Sequence, residues 1–426
     1  VLLLEGTYYI NDPIKPVSNL TLEGVGWATV LRGQSGTIIY TNESCHDVVI
    51  RRLFTTNEDV GSPYARHIAF DEPSGGTIER IVIESCRLAY GNETVYGNNV
   101  SYGLVRNCWF TDEHRYAAIH SHVDHTWMVL NNFFFNADKP SFGPHVCCNN
   151  YMYGRDDHYI HSPRVCVGNH LTGGSVTWEW GIHLTEGRQV VVGNTLTSLN
   201  RVGICAEPYA GGYPTDGVIA GNVLDGCIFD GIFLKSAVRF VVEDNLIYNC
   251  GTYEHNSSDG IRLTDDGEVY SQYNIVKNNE IYSDASNRIR YGINEEANED
   301  YNIFEGNYIR GAATAAMYVS GAHSLARGNI GYSTTKTITA DYSMTWADEV
   351  LLVDASGGAV TVTLPDPAAY PDEWITIKKI DSSSNAVTIN PHGSETIDGA
   401  SSQSLSTENA FLTLVSDGTN WYVVTG

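Results

Sequence analysis

A short phrase built around asparagine recurs along the chain from Val105 onward. Its copies read VRNCWF, VLNNFFF, CCNNYMY, VGNHL, VGNTL, AGNVL, EDNLI, KNNEI, EGNYI and RGNIG. Their asparagines are 18 to 34 residues apart, about 25 on average, at Asn107, Asn132, Asn150, Asn169, Asn194, Asn222, Asn245, Asn279, Asn307 and Asn329. Repeats of this length are typical of solenoids, whose units stack because none of them buries its apolar face alone. The short apolar run on each side of the asparagine predicts the coils of a parallel β-helix.

The recurrent asparagine also predicts how the coils are joined. A buried asparagine at a coil corner tolerates the left-handed backbone that a sharp bend needs. Its amide group both donates and accepts, so each copy can hydrogen-bond the copy in the next coil, about 4.8 Å away along the helix axis. We therefore expect a continuous ladder of buried asparagine side chains.

A second recurrent phrase marks another strand of each coil, in YAAIHSH, WGIHLTE, VGICAEP, DGIFLKS, DGIRLTD, YGINEEA and AAMYVSG. If Ile182 and Leu184 point into the core, alternation turns His183 and Thr185 outwards. Stacking the coils then predicts two outward columns that line a groove suited to an extended polymer. The first column contains His120, His161, His183, Cys205, Phe233, Arg262, Asn294 and Tyr318, and the second contains His122, Thr185, Glu207, Lys235, Thr264 and Glu296.

Charge and composition exclude several classes of partner. The chain has 25 Lys and Arg residues against 50 Asp and Glu residues, a formal net charge of −25. Such a surface repels polyanions, so we expect no nucleic acid as a partner. No apolar run reaches the ~18 residues of a membrane span, so we expect no membrane insertion. The nine cysteines lack zinc-type pairing and are interpreted as small buried apolar residues.

The start of the chain, VLLLEGTYYINDPIKPVSNLTLEGVGWATVLRG, resembles the first coils of the pectate-lyase-like right-handed β-helix superfamily. The resemblance rests on EGTYYI, the SNLTLEGVG turn and ATVLRG. Together with the repeats, it implies a right-handed parallel β-helix over residues 1–330, with residues 1–45 as its N-terminal coils.

The asparagine repeat stops after Ile330. Residues 331–346 are rich in Ser and Thr and are predicted to be a linker. Residues 347–426 contain short alternating strands separated by SGG, SSSN and DGTN turns, which predict a small antiparallel, sandwich-like β domain. The predicted fold class is therefore all-β, a parallel β-helix followed by a small antiparallel β domain.

This tail resembles a small β domain near the C-terminus of many tailed-virus fibres and tailspikes. The resembling residues are Leu364, Pro365, the ITIKKID strand, Ile397–Gly399 and LVSDGTNWYVV. In such proteins the module serves trimerisation or folding, or binds carbohydrate. The resemblance implies a homotrimeric virion tailspike that acts outside the host cell, where it binds and usually cleaves a surface polysaccharide.

Candidate catalytic groups concentrate in the middle of the helix, where nine of the fourteen histidines lie between His114 and His183. The segment GRDDHYIHSPR, residues 154–164, is the most polar part of this region. Hydrolysis of a glycan needs one carboxyl group to protonate the leaving oxygen and a second to activate water or attack the sugar. The carboxyl candidates are Asp156, Asp157, Glu179 and Glu207.

Two other mechanisms stay open. In β-elimination from a uronate, His161 or His183 would be the base, since imidazole titrates near neutral pH, and Arg164 or a bound Ca²⁺ would neutralise the carboxylate. Metal-assisted chemistry with a His/Asp cluster is the third and least favoured mechanism, and no metal site is predicted. The negative net charge favours a neutral or mildly charged glycan and hydrolysis, which requires no cofactor. A polyuronate would require Ca²⁺.

The remaining candidates are expected to bind the glycan or shape the groove. The predicted binding residues are His120, His122, His158, Arg164, Trp178, Trp180 and Arg262. The Gly- and Tyr-rich segment from Cys205 to Gly217 is expected to form a wall of the groove. The pairs Asp230–Gly231 and Asp259–Gly260 are interpreted as turn residues.

The sequence thus predicts a polysaccharide depolymerase, with glycoside hydrolysis favoured over elimination. The alternative from a different class is an adhesin of the same shape that binds the glycan without cleaving it. A secreted bacterial epimerase or lyase would share the β-helix but would leave the fibre-like tail unexplained.

Overall fold

A computed structural model describes residues 1–34, 36–57, 66–71, 76–122, 126–137, 141–154, 160–173, 180–253, 256–284 and 289–426. Within these ranges, the side chains of residues 112–116, 122, 137, 141–142 and 154 lie outside the description. Every regular element in the described ranges is a β-strand. Across these ranges we find no helix long and apolar enough to cross a membrane.

Three parallel sheets run side by side along most of the chain, and each coil contributes one strand to each sheet. The first sheet has 14 strands, at Leu2–Leu3, Thr21–Gly24, Cys45–Arg51, Ile78–Glu84, Val100–Arg106, Trp127–Leu130, Val146–Cys148, Val165–Val167, Val190–Val192, Val218–Ala220, Val241–Glu243, Ile275–Lys277, Ile303–Glu305 and Leu325–Arg327.

The second sheet follows the first after a tight corner. Its strands are Gly6–Ile10, Thr29–Gly33, Phe54–Asn57, the first part of Arg87–Asn98, the first part of Trp109–His122, Phe133–Ala137, Tyr151–Gly154, His170–Thr172, Thr195–Thr197, Val223–Asp225, Leu246–Tyr248, Glu280–Tyr282 and Tyr308–Arg310.

The third sheet completes each coil and carries the second recurrent phrase. Its strands are Ile39–Thr41, Ile68–Asp71, the second part of Arg87–Asn98, the second part of Trp109–His122, Ser141–Phe142, Ile160–His161, Ile182–Leu184, Ile204–Ala206, Ile232–Lys235, Ile261–Thr264, Tyr291–Glu295 and Ala315–Tyr318. The two long strands pass through both the second and the third sheet, which joins them.

The predicted fold class, a right-handed parallel β-helix followed by a small β domain, is confirmed. Strand pairing inside the helix is parallel throughout the described coils, and the inward residues of successive coils stack on one another. In the third sheet the inward column runs through Ile160, Ile182, Ile204, Ile232 and Ile261, and these five side chains are fully buried. All nine cysteines are free and eight of them are buried, as the sequence predicts.

The predicted asparagine ladder exists from Asn132 to Asn329. Each side-chain amide donates to the amide oxygen of the next ladder asparagine at 2.9 to 3.1 Å. It also donates to a backbone carbonyl one coil earlier, as Asn150 does to Val129 at 2.9 Å. Each amide oxygen further accepts the backbone N–H of the preceding ladder residue, as Asn169 does from Asn150 at 3.0 Å. The buried amides are therefore satisfied by their own repeats.

Two details of the ladder differ from the prediction. The left-handed backbone falls on the residue before each ladder asparagine, for example Asn149, Gly168 and Gly221 with φ of 54°, 65° and 60°. The ladder asparagine is therefore selected for its amide and not for its backbone. Asn107 itself has φ of 55° and is exposed. Cys108 takes the ladder position in that coil and donates its backbone N–H to Asn132 at 2.9 Å.

A column of glycines brings successive coils close together where the third sheet begins. A Cβ on Gly181, Gly203, Gly231, Gly260 or Gly292 would lie 2.4 to 2.8 Å from the backbone carbonyl oxygen of the next coil. The Gly-Ile pairs of the second recurrent phrase are thus close-approach positions, because no larger residue fits between the coils.

The second domain contains two mixed sheets, whereas the sequence predicts purely antiparallel ones. One sheet has strands Thr335–Ile338, Val350–Val353, Trp374–Lys379, Phe411–Ser416 and Trp421–Thr425, and the other has Tyr342–Ser343, Val360–Thr363, Val387–Asn390 and Gln403–Leu405. The first three strands of each sheet pair in parallel and the later ones pair antiparallel. The chain alternates between the two sheets at first, and this alternation gives parallel pairing.

The stretch 331–346, predicted as a linker, carries two strands of this domain and the fully buried Trp346. Arg327 connects the last strand of the helix to the domain, because it pairs with Glu373 at 3.1 Å and donates to the Trp346 carbonyl at 2.8 Å.

Candidate active site

The outward column of the third sheet has the predicted register. Strand pairing aligns His120, Phe142, His161, His183, Cys205, Phe233, Arg262, Asn294 and Tyr318 on successive coils. The coil that carries Phe142 separates His120 from His161, so these two histidines lie two coils apart, about 10 Å along the axis. The column therefore brings His161 and His183 together and leaves His120 outside their contact.

His161, His183 and Glu207 contact one another in series. The Nδ1 atoms of the two histidines are 3.1 Å apart, and Nε2 of His183 lies 3.3 Å from Oε1 of Glu207. Both rings are almost fully buried. Burial of the Glu207 carboxyl would raise its pKa, but the hydrogen bond from His183 and the nearby positive charges of Lys235 and Arg201 outweigh it, so the pKa lies below 4.5. Glu207 is therefore ionised at neutral pH.

Aromatic rings cover His161 and His183 on the solvent side. Tyr209, on the loop that follows Ile204–Ala206, places its ring 5.1 Å from that of His161 and 6.2 Å from that of His183. Trp180 contacts the other side of His183 at 5.0 Å, and the guanidinium of Arg201 stacks on Trp180 at 3.9 Å. The segment predicted to wall the groove thus contributes Tyr209, which is 53% exposed.

Asp230 and Asp259 lie on the next two coils, at the start of their third-sheet strands. Both are buried, and Asp259 donates its backbone N–H to Oδ1 of Asp230 at 2.6 Å. Burial, followed by the negative charge of Asp259, raises the pKa of Asp230 to about 7. The sequence interpreted these Asp-Gly pairs as turn residues, but the structure gives them another role. Gly231 and Gly260 permit close packing of successive coils, and the aspartates form a polar pair beside the groove.

Cys205 of the outward column is affected by carboxyl groups from two coils. Burial raises the pKa of its thiol well above 9, and the nearby charges of Glu207 and Asp230 add to that effect. One carboxyl group from each of two adjacent coils is therefore within electrostatic reach of the same side chain.

Two groups of side chains in the described part of the chain have metal-ligating atoms within 4.8 Å of one another. One group is His183, Cys205 and Glu207, and the other is Asp366, His392 and Glu395 in the second domain. The first group combines nitrogen, sulfur and oxygen donors of the kind that zinc accepts. The second group is more exposed.

The other predicted site residues have separate environments. His120 is held by Glu93 at 2.8 Å, and Glu93 is in turn bound by Arg66 at 2.7 Å. Arg164 lies at the corner after Ser162, where it pairs with Glu186 at 3.3 Å. Arg262 pairs with Glu296 at 2.8 Å, three coils beyond His183. Asp156, Asp157, His158, Trp178 and Glu179 fall outside the described residues, as does the side chain of His122, and their proposed roles stay predictions.

Sequence reasoning missed Asp230, Asp259 and Arg201 as candidates and named Tyr209 only as part of a loop. Both aspartates precede the Gly-Ile of the second recurrent phrase. They lie three residues before Phe233 and Arg262 of the outward column, so alternation alone does not place them on the outward face.

The three stacked sheets define the chain as a parallel β-helix protein. Residues 143–345, somewhat less than half of the chain, match the family model described as "Periplasmic copper-binding protein (NosD)". A search of curated proteins finds no match to the chain.

Solved structures with a similar fold include enzymes and a tailspike. The A-module of mannuronan C-5 epimerase AlgE6 from Azotobacter vinelandii is 15% identical, with 78% of this chain and 90% of that chain covered and a TM-score of 0.44. The catalytic domain of a GH87 alpha-1,3-glucanase is 16% identical, with 77% and 64% covered and a TM-score of 0.49. Tailspike protein 3 of bacteriophage CBA120 is 11% identical, with 79% and 57% covered and a TM-score of 0.49. The likeness in each case is one of fold.

Proposed function

We propose that this protein binds an extended glycan along the third sheet and hydrolyses it, with Asp230 as the proton donor and Glu207 as the carboxylate. The observation that carries the proposal is that these two carboxyl groups, on adjacent coils, both act on the thiol of Cys205 and have opposite electrostatic environments. Pairs of carboxyl groups whose surroundings separate their protonation states are the usual basis of acid–base assignments in glycosidases.

Asp230 has the environment of a general acid. Its neighbour Asp259 accepts hydrogen bonds from Arg290 at 3.1 and 2.7 Å and from Asn294 at 2.9 Å. Burial, followed by the charge of Asp259, raises the pKa of Asp230, so this carboxyl group holds its proton up to near neutral pH. An acid with a pKa of about 7 transfers a proton efficiently to a glycosidic oxygen at neutral pH.

Glu207 has the environment of the partner carboxylate. Nε2 of His183 lies 3.3 Å from one carboxylate oxygen, and His183 is itself held by His161. The lowered pKa of Glu207 keeps this carboxylate ionised at neutral pH. In this proposal Glu207 either activates a water molecule or attacks the anomeric carbon, and the configuration of the released sugar distinguishes the two. His161 and His183 are positioning residues.

The aromatic side chains above the histidines suit a sugar ring. Tyr209 is largely exposed, and Trp180 is stiffened by the guanidinium of Arg201. Flat aromatic faces next to a few fixed polar groups are typical of sites that orient a small polar ring.

Molar mass measurements on a panel of purified cell-surface polysaccharides test the proposal. The wild-type chain is expected to lower the mass of one of them and to release reducing ends. Asp230→Asn and Glu207→Gln are each expected to slow this reaction by about 100-fold or more. Glu186→Gln is the matched control, because Glu186 pairs with Arg164 at the corner of the coil. A glycan that binds without losing mass would overturn the enzymatic proposal in favour of an adhesin.

Elimination from a uronate is the second candidate function. The observation in its favour is the contact between the Tyr209 ring and His161, which places a phenol beside an imidazole that Glu207 and His183 orient. His161 would remove the proton and Arg201 would neutralise the carboxylate. Products with the ultraviolet absorbance of an unsaturated uronate would decide for elimination.

We also propose that the chain is part of a homotrimeric tailspike of a virion that acts outside the host cell. The support is the combination of a long β-helix with a small C-terminal β domain, whose residues Leu364, Pro365 and Ile397–Gly399 resemble those of tailed-virus fibres. Light scattering on the purified chain tests the assembly, and a mass of one chain would contradict it.

A further inference from the structure

A cleft of about 460 Å³ opens on the same face, beyond the proposed active site. It is lined by Thr264, Arg290, Tyr291, Asn294, Glu296 and Tyr318. Three coils separate Asp230 from Tyr318 along the column, about 14 Å at the usual strand spacing. A polymer that lies along the third sheet and has one sugar at Asp230 therefore reaches this cleft.

The charges around the cleft compensate one another. Arg290 pairs with Asp259 at 2.7 Å and with Glu296 at 3.5 Å, and Arg262 pairs with Glu296 at 2.8 Å. Two guanidinium groups thus face two carboxylates, and Asp265 adds a further negative charge to the lining. Among the described residues that line the cleft, an anionic sugar would find no uncompensated positive charge, and it would approach a chain whose net charge is −25.

The hydroxyl groups of a sugar would find several hydrogen-bond partners in the same cleft. Carboxylate oxygens of Glu296, guanidinium N–H groups and the Thr264 hydroxyl offer both acceptors and donors. Asp259, fully buried beneath them, fixes Arg290 and Asn294 in place. Such a set, immobilised before binding, loses little conformational entropy when a polar ligand binds.

Two tyrosines supply an apolar wall beside these groups. The rings of Tyr291 and Tyr318 are 5.5 Å apart and inclined by 30°. Tyr318 is 46% exposed, whereas the guanidinium of Arg290 lies over the ring of Tyr291, 5.1 Å from its centre. Tyr318 therefore has a free surface on which the C–H face of a pyranose can pack.

We infer that this cleft is a distal subsite for an uncharged sugar of the same glycan, with Tyr318 as its stacking platform. The inference rests on the proposed function and sharpens it, because it names the substrate class as a neutral polysaccharide bound over several residues.

Binding to the Asp230→Asn variant tests the subsite separately from catalysis. Calorimetry with oligosaccharides of the cleaved glycan is expected to give an affinity that rises with chain length until the cleft is filled. Adding Tyr318→Ala is expected to weaken the binding of long oligosaccharides about five- to tenfold. Tyr308→Ala is the matched control, because Tyr308 has similar exposure but lies on the second sheet. In the active chain, Tyr318→Ala should lower the ratio of kcat/KM for long over short oligosaccharides by a similar factor.

The possible failures are distinguishable. If the wild-type chain neither binds nor cleaves any glycan, the proposed function is wrong and the subsite is lost with it. If the wild-type chain cleaves a glycan but Tyr318→Ala binds long oligosaccharides as tightly as Tyr308→Ala does, only the subsite is wrong. Stronger binding of a carboxylated glycan than of a neutral one would also overturn the inference.

Discussion

Asp259 lies one coil beyond Asp230 and donates its backbone N–H to the Asp230 carboxyl group at 2.6 Å. Asp259 is itself fully buried and bound by Arg290 and Asn294. The repeat thus places two acidic side chains one strand spacing apart and gives them different polar surroundings. A solenoid achieves this by changing the residues around one position from coil to coil.

The rate of glycan cleavage should depend on pH through Asp230. A general acid acts only while it is protonated, and the pKa of Asp230 is about 7 because of burial and the charge of Asp259. We therefore expect kcat/KM to fall as the pH rises above about 7, by tenfold per pH unit well beyond it. Initial rates measured across neutral pH check this limb. A rate that stays constant up to pH 9 would show that Asp230 is not the acid.

The stability of the fold should also depend on pH through the buried Asp230. The pKa of Asp230 is raised from 3.8 to about 7, so between these values the folded chain holds a proton that the unfolded chain has released. This group therefore stabilises the fold most below pH 4, and its contribution is lost as the pH rises to 7.

The Asp230→Asn variant removes that titration and provides the comparison. Between pH 4 and pH 7 the melting temperature of the wild type should fall relative to that of Asp230→Asn, and the difference should be constant above pH 7. Parallel melting curves at all pH values would contradict the assigned protonation of Asp230.

Much of the architecture was accessible from the sequence, because β-helix repeats record their register directly. The spacing of the asparagines located the coils, and the alternation around Ile182 correctly placed His161, His183 and Cys205 in one outward column. The Asn107 copy was misaligned by one residue, since Asn-Cys there has the left-handed residue first and the ladder residue second. In the Gly-Asn and Asn-Asn pairs of the other coils the left-handed residue also comes first and the ladder residue second. The sequence pattern alone does not say which of the two residues is buried.

The site was harder to predict because its chemistry depends on contacts between coils. Nothing in Asp230-Gly231 distinguishes a turn from a buried acid until Asp259 is placed 2.6 Å away in the next coil. Tyr209 lies in a loop whose path no periodicity defines. The histidine cluster was visible from composition, but only the structure distinguishes His120, which is bound to Glu93, from the pair formed by His161 and His183.

The glycine column predicts a strong effect of a single added methyl group. In Gly231→Ala the new Cβ would lie 2.7 Å from the carbonyl oxygen of Gly260 and 2.5 Å from a methyl carbon of Ile247. Because backbone must move to relieve this contact, we expect the variant to be destabilised by about 1 to 3 kcal/mol. Gly357→Ala is the control, since nothing lies within 4 Å of its Cβ position. Equal urea denaturation midpoints for the two variants would show that close approach of the coils is not what requires glycine at position 231.

The asparagine ladder predicts that substituting an asparagine of the recurrent phrase lowers the stability of the fold by different amounts at different positions. Asn222 is fully buried; its amide oxygen accepts from the backbone and the side chain of Asn194, each at 2.9 Å. Its amide nitrogen donates to the Val191 carbonyl at 3.0 Å and to Asn245 at 2.9 Å. Asn222→Ala removes all four of these buried hydrogen bonds, so we expect a loss of stability of about 2 to 4 kcal/mol.

Asn107→Gly provides the contrast within the same recurrent phrase. Asn107 is exposed and has a left-handed backbone that glycine adopts without strain, so its replacement should change stability by less than about 0.5 kcal/mol. Thermal and urea denaturation of both variants measure the difference. Equal losses for the two would mean that the asparagines serve the coil corners through their backbone conformation, whereas a loss confined to Asn222→Ala identifies the side-chain ladder as what joins the coils.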